Sequence, residues 1–160
     1  MANLREMLTA LGLGEARTLL QSGNAVFQSQ KSPAALEAVL EEAVHKRFGF
    51  FTHVFVRTEP EWEAVVEANP FSREAKDDPS HLLVMPLKDA PDKVCLAELR
   101  RAIQGRERVD VVGRVAYLVY PDGVGRSKLT TTVIESRLFT QGTARNWNTV
   151  QKLLALARGG

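Results

Sequence analysis

Apolar residues recur at Leu4, Met7, Leu8 and Leu11, the spacing that places side chains on one face of a helix. Gly12 and Gly14 follow and supply the freedom that ends it. Strand-like runs at 18–21 and 25–28 flank Ser22-Gly23-Asn24, whose glycine and asparagine tolerate positive φ, and predict a tight β-hairpin. Ser32-Pro33 reads as a helix start, with a capping hydroxyl and a ring already at helical φ, and Leu36, Val39, Leu40 and Ala43 form its apolar face. Residues 51–57 predict a strand. Thr58-Glu59-Pro60-Glu61 has capping-box spacing and launches a short helix through Trp62, Val65 and Val66 that stops at Asn69-Pro70.

The stretch 72–80 is polar, carries Asp77, Asp78 and Pro79, and is expected to be a linker between residues 1–71 and 81–160. Beyond it the pattern predicts a strand at 81–87, a helix at about 92–103, and a second hairpin, 109–112 with 115–120, turning at Gly113-Arg114. Pro121-Asp122-Gly123 is a turn, and Leu129, Val133, Ile134 and Leu138 make a helix face. Residues 143–147 are extended, and Asn148, with Gln151 three residues later, is the expected cap of a last helix. Strand, helix, hairpin, helix, strand is the split βαβ, ferredoxin-like order, and the first half repeats it without an opening strand. The expected fold class is therefore α+β, with two ferredoxin-like subdomains, the first incomplete. An opening strand of that pattern lies mid-sheet, and its loss would leave costly unpaired edges, so the physiological chain is expected to begin upstream of Met1.

With 160 residues, 44% of them hydrophobic and 25% charged, the chain is long enough to bury a core. The single cysteine, Cys95, excludes an intrachain disulfide and any cysteine cluster for zinc or iron–sulfur, and the expected compartment is the cytoplasm. No apolar run approaches the roughly 20 residues of a membrane-spanning helix, so no membrane partner is expected. The net charge of +2 is unevenly distributed. Residues 1–96 carry ten Lys/Arg against fourteen Asp/Glu, and residues 97–160 carry eleven against five. A basic half favours an anionic partner such as a phosphate or nucleic acid; a solvated, arginine-rich surface is the bland alternative.

Two short blocks carry the most function-like chemistry. Gly125-Arg126-Ser127-Lys128 lies between a turn and a helix start, where backbone N–H groups, a hydroxyl and two cations could converge on an anion. Equally, Ser127 could simply cap the helix. Thr143-Ala144-Arg145-Asn146-Trp147 adds a hydroxyl, a forked guanidinium, an amide and an indole, although Trp147 also reads as a core anchor. The candidate anion site is thus Arg126, Ser127, Lys128, Thr143, Arg145, Asn146 and Trp147, with Ser22 and Asn24 as secondary candidates. The spacing is not that of a Walker loop. His45, His53 and His81 have no ligand spacing, so neither a metal nor a cofactor is expected, and no nucleophile or base stands out.

Four blocks in order and spacing carry a resemblance: 20–27, reading Leu-Gln-Ser-Gly-Asn-Ala-Val-Phe; Ala68-Asn69-Pro70-Phe71; 120–129, reading Tyr-Pro-Asp-Gly-Val-Gly-Arg-Ser-Lys-Leu; and 142–150, reading Gly-Thr-Ala-Arg-Asn-Trp-Asn-Thr-Val. Together they resemble the bacterial domain of unknown function family numbered 1697. The resemblance implies paired ferredoxin-like subdomains and a glycine-rich, arginine-containing leading strand, which is absent ahead of Met1-Ala2-Asn3-Leu4-Arg5. It implies no activity. Four functions compete on these grounds: a binding module for a phosphate-bearing small molecule or nucleotide, an RNA-binding module, an enzyme completed by the leading segment, and an interaction protein forming a homodimer. The RNA reading lacks an aromatic string on a strand.

Overall fold

The computed structural model describes residues 2–19 and 23–159. Contacts along the chain divide it into two units, Met1–Glu63 with Gln151–Gly160, and Ala64–Val150.

The first unit opens with α1 (Ala2–Ala10), closed at its end by Gly12 at φ +80°. An antiparallel hairpin follows, β1 (Gly14–Leu19) with β2 (Asn24–Gln28), in the register Arg17↔Val26 and Leu19↔Asn24. Ser22 lies outside the described residues. α2 (Pro33–Phe48) starts as its sequence dictates, with Ser32 Oγ accepting from the Ala35 N–H at 3.2 Å, and it ends at Gly49, φ +76°. Met7, Leu8 and Leu13 bury against Leu36, Leu40 and Val44, with Ala25, Phe27, Val54 and Val56 at the margin.

The segment 51–57, expected as a strand, carries no regular secondary structure and joins no sheet among the described residues. Two of its backbone donors are taken by a helix instead. Val54 N–H donates to Glu41 Oε2 and Val56 N–H to Glu37 Oε2, both at 2.9 Å. Carboxylates one turn apart on a helix rise by about 6 Å, close to the roughly 6.6 Å between alternate residues of an extended chain. Alternating apolar residues suit a strand, but a ladder also needs a neighbouring strand, and here α2 supplies acceptors in its place. Arg57 stands 3.8 Å from Glu37, with its side chain only 6% exposed.

α3 (Glu59–Glu67) begins in the first unit and ends in the second. Its capping box is reciprocal: Thr58 Oγ1 accepts from Glu61 N–H, and Thr58 N–H donates to Glu61 Oε1 at 2.8 Å. The stretch read as a linker is largely helical, carrying α4 (Ser72–Asp77) and a 3-10 turn, Pro79–His81. Polarity and proline marked a break in the apolar pattern there, and short helices of surface residues are equally polar.

The second unit continues with β3 (Leu82–Pro86), α5 (Lys93–Ala102), β4 (Arg108–Val112), β5 (Val115–Val119), α6 (Thr131–Leu138), β6 (Arg145–Asn146) and α7 (Trp147–Ala157), the last passing back into the first unit. Its sheet runs β4-β5-β3-β6, with antiparallel neighbours throughout, and the whole is an α+β architecture. Met85, Val109, Ala116, Leu118 and Tyr120 pack with Leu99 of α5 and Ile134 and Leu138 of α6. Tyr117, fully buried, donates its hydroxyl to Val65 O at 2.6 Å.

β4 is the sheet's edge, and its exposed backbone is occupied by side chains. Arg100 donates Nε and Nη2 to Val109 O, and Asp110 Oδ1 accepts from Val111 N–H. Two helix starts differ from expectation. Thr130, not Ser127, caps α6 by accepting from Val133 N–H, and Asn146, not Asn148, caps α7 by accepting from Thr149 N–H. Asparagine is equally competent at either position. The one that ends a strand is the one whose backbone is extended, as a cap requires.

Candidate functional site

Sheet register decides which loops meet. Leu82, the first residue of β3, pairs with Val119, the last of β5, and Leu83 pairs with Asn146, the last of β6. The turn entering β3, the β5–α6 connection and the β6–α7 junction therefore share one end of the second unit's sheet. The 3-10 turn at Pro79–His81 packs against β6. On its other side Tyr120 N–H donates to His81 O at 2.9 Å, and a Cβ on Gly123 would stand 3.9 Å from His81 Nε2.

The connection from Tyr120 to Thr130 is held by its own hydrogen bonds. Gly123 N–H donates to Tyr120 O, Ser127 N–H to Val124 O, and Leu129 N–H to Ser127 Oγ. Tyr120 Oη closes the loop by donating to Leu129 O at 2.8 Å. Ser127 thus orders the loop from within. Arg126 and Lys128, on either side of it, are exposed and form no hydrogen bond or ion pair among the described residues.

The second block reaches the same end of the sheet. Arg145 lies opposite Val84, so its side chain leaves the face opposite to that of Leu83 and Tyr120. Its Nη1 turns back along its own segment, donating to Thr143 Oγ1 and Ala144 O, both at 2.8 Å. Burial pulls the Arg145 pKa below its ordinary value. Asn146 Oδ1 is committed to the α7 cap, and Trp147 is buried. Asn24, also buried, donates Nδ2 to Leu19 O and closes the first hairpin, in the other unit.

Sequence reasoning missed a pair at the centre of this end. His81 Nδ1 lies 2.9 Å from Asp78 Oδ2, and both side chains are partly open to solvent. Beside them Arg106 and Asp122 form a two-pronged ion pair that holds the Asp122 carboxyl below its usual range. The signal lay in Asp78-Pro79-Ser80-His81, where a proline at a turn's first position puts residues three apart on one side. Among the described residues no group of three or more His, Cys, Asp or Glu side chains assembles for a metal.

A shallow cleft lies elsewhere in this unit, against β4, and is lined by Phe71, Arg100, Ile103, Glu107, Arg108 and Asp110. Its cations are already matched. Arg108 sits 5.2 Å over the Phe71 ring and pairs with Glu74, whose carboxyl it holds low, and Arg100 is held by Val109 O. Among the described residues no helix is long and apolar enough to cross a membrane.

No curated protein matches the chain. Among solved structures, it is similar to the conserved bacterial protein SP0830 from Streptococcus pneumoniae, with a TM-score of 0.70 at 21% identity, covering 98% of this chain and 88% of that one. At that identity the likeness speaks for the fold alone. The family model described as a protein of unknown function, DUF1697, matches residues 1–117, nearly three-quarters of the sequence, and the chain belongs to that family.

Proposed function

We propose that this protein binds a phosphate-bearing small molecule or nucleotide at the β5–α6 connection. One observation carries the reading: Arg126 and Lys128 stand two residues apart on a loop fixed by internal hydrogen bonds, with no ion-pair partner among the described residues. Cations left unmatched on an ordered loop keep their charge available, and phosphate is the ligand they suit. The strand order β4-β5-β3-β6 supports reading the second unit as a ferredoxin-like subdomain. The order helix, hairpin, helix supports reading the first as the same pattern without its opening strand.

Calorimetric titration with nucleoside monophosphates and phosphorylated sugars tests the function. The double variant R126A/K128A is expected to lower affinity at least tenfold while its melting temperature without ligand stays unchanged. Equal binding by the variant and the parent would sink the proposal. Short oligonucleotides belong in the same panel, since affinity for them that falls steeply with salt would favour nucleic acid as the ligand.

A second reading, a homodimer, has its own support in the first unit. Phe50 and Phe51 are 55% and 62% exposed beside Phe48, a concentration of apolar surface that self-association would cover. Light scattering that gives a monomer mass at high protein concentration would exclude it.

A further inference from the structure

We infer that His81 is a proton-dependent donor of the same anion site and that the ligand presents a tetrahedral dianion, such as a terminal phosphate. The inference rests on the proposed function of the β5–α6 connection and adds the residue that selects the ligand's charge. The His81 ring is oriented on one side only. Its Nδ1 meets Asp78 Oδ2 at 2.9 Å, and its Nε2 has no hydrogen-bond partner among the described residues. That free nitrogen stands over Gly123, where no side chain intervenes. Arg126 follows Gly123 by three residues and Lys128 by five, at most about 11 Å and about 18 Å of backbone, so the glycine beneath the ring nitrogen and the two exposed cations belong to one short connection.

The chemistry of the ring then couples anion binding to protonation. A carboxylate only accepts, so the proton of the neutral ring sits on Nδ1 and Nε2 carries a lone pair, which faces an anion unfavourably. When the ring takes a second proton, Nε2–H becomes a charged donor aimed at the site, and Asp78 compensates the imidazolium from behind. The other charged groups on the elements around the ring are Arg73, Glu74, Lys76 and Asp77 of α4, Glu74 being paired with Arg108, then Asp122 in the turn that holds Gly123, Arg106 bound to Asp122, and Arg145 on β6. Asp122 is engaged by Arg106, and Arg145 by Thr143 and Ala144, so Asp78 is the group that orients the ring. His45 and His53 lie in the first unit, on or just beyond α2.

Sulfate is the decisive probe, because its charge is constant between pH 5.5 and pH 8, whereas phosphate titrates in that window. Binding to the whole chain is followed by calorimetry, and the His81 ring nitrogens by NMR, assigned through H81Q. The parent is expected to bind sulfate about tenfold more tightly at pH 5.5 than at pH 8. Binding at pH 7 should take up a proton, with the His81 nitrogen signals moving to the imidazolium position. H81Q is expected to fold normally, the side chain being partly exposed, and to lose the pH dependence. D78N should retain part of it, since it leaves the ring in place without the compensating charge. Sulfate affinity that is independent of pH in the parent and equal in H81Q overturns the role of His81. If R126A/K128A still abolishes binding in that case, the loop site itself stands. No binding to the parent by 50 mM sulfate at pH 5.5 overturns both.

Discussion

Gly142 is fixed by crowding. A Cβ there would come within 2.7 Å of Met85 Cε and 2.8 Å of Leu87 Cδ2, both in the core beneath the sheet. G142A is therefore expected to lower stability by about 1–3 kcal/mol in urea unfolding, without altering sulfate binding. The two tyrosines, the only ones in the sequence, are a second case in which burial dominates. Burial pushes Tyr117 and Tyr120 up to about 12, and each hydroxyl donates to a buried carbonyl, Val65 O and Leu129 O. A raised pKa means that the folded state holds its proton longer than the unfolded chain does. The stability these groups contribute is thus fully present below about pH 10 and is lost as the pH rises toward 12. Phenolate absorbance is expected to stay flat through pH 10.5 and then to rise together with loss of the circular dichroism signal. Titration near pH 10 with the fold intact would contradict this.

At the scale of elements, capping and edge protection settle most of the local choices. Arg100 covers the outer side of β4 by taking Val109 O, and Asp110 takes the neighbouring Val111 N–H. Such cover keeps an edge strand from pairing with another chain. R100A is expected to cost about 1 kcal/mol and to raise self-association at high concentration, read by light scattering. In the first unit, E41A should speed amide exchange at Val54, whose N–H it leaves without the carboxylate. Much of this level was legible in the sequence. Ser32-Pro33, the Thr58–Glu61 box and the second hairpin read correctly because each depends on residues close together in sequence. The first hairpin pairs as an antiparallel ladder, but its first strand is 14–19 rather than 18–21, and Ser22 of its expected turn lies outside the described residues. What failed depended on partners far away in sequence. The strand-like pattern of residues 51–57 gave no sign that α2 would take their donors, and nothing local distinguished Asn146 from Asn148 as a cap. The candidate site divided in the same way. The composition of 125–128 and 143–147 was visible, but sheet register alone put His81 between them and turned Arg145 to the opposite face.

The whole molecule is organised in two units, and the first is built from both ends of the described chain. Arg17 of β1 donates to Leu156 O near the end of α7, joining parts of that unit that are 139 residues apart in sequence. R17A is expected to speed amide exchange in α1 and in the hairpin β1–β2 while leaving the strands of the second unit protected. Equal loss of protection in both units would show that they open together. The division of α7 between the units also bears on biosynthesis. Domains generally fold in the order in which they emerge from the ribosome, at about 5–20 residues per second. Here residues 64–150 form a continuous unit, whereas residues 1–63 lack a piece of theirs until residues 151–160 have emerged. The second unit therefore completes first, and residues 1–63, although synthesised before it, reach their final packing after it.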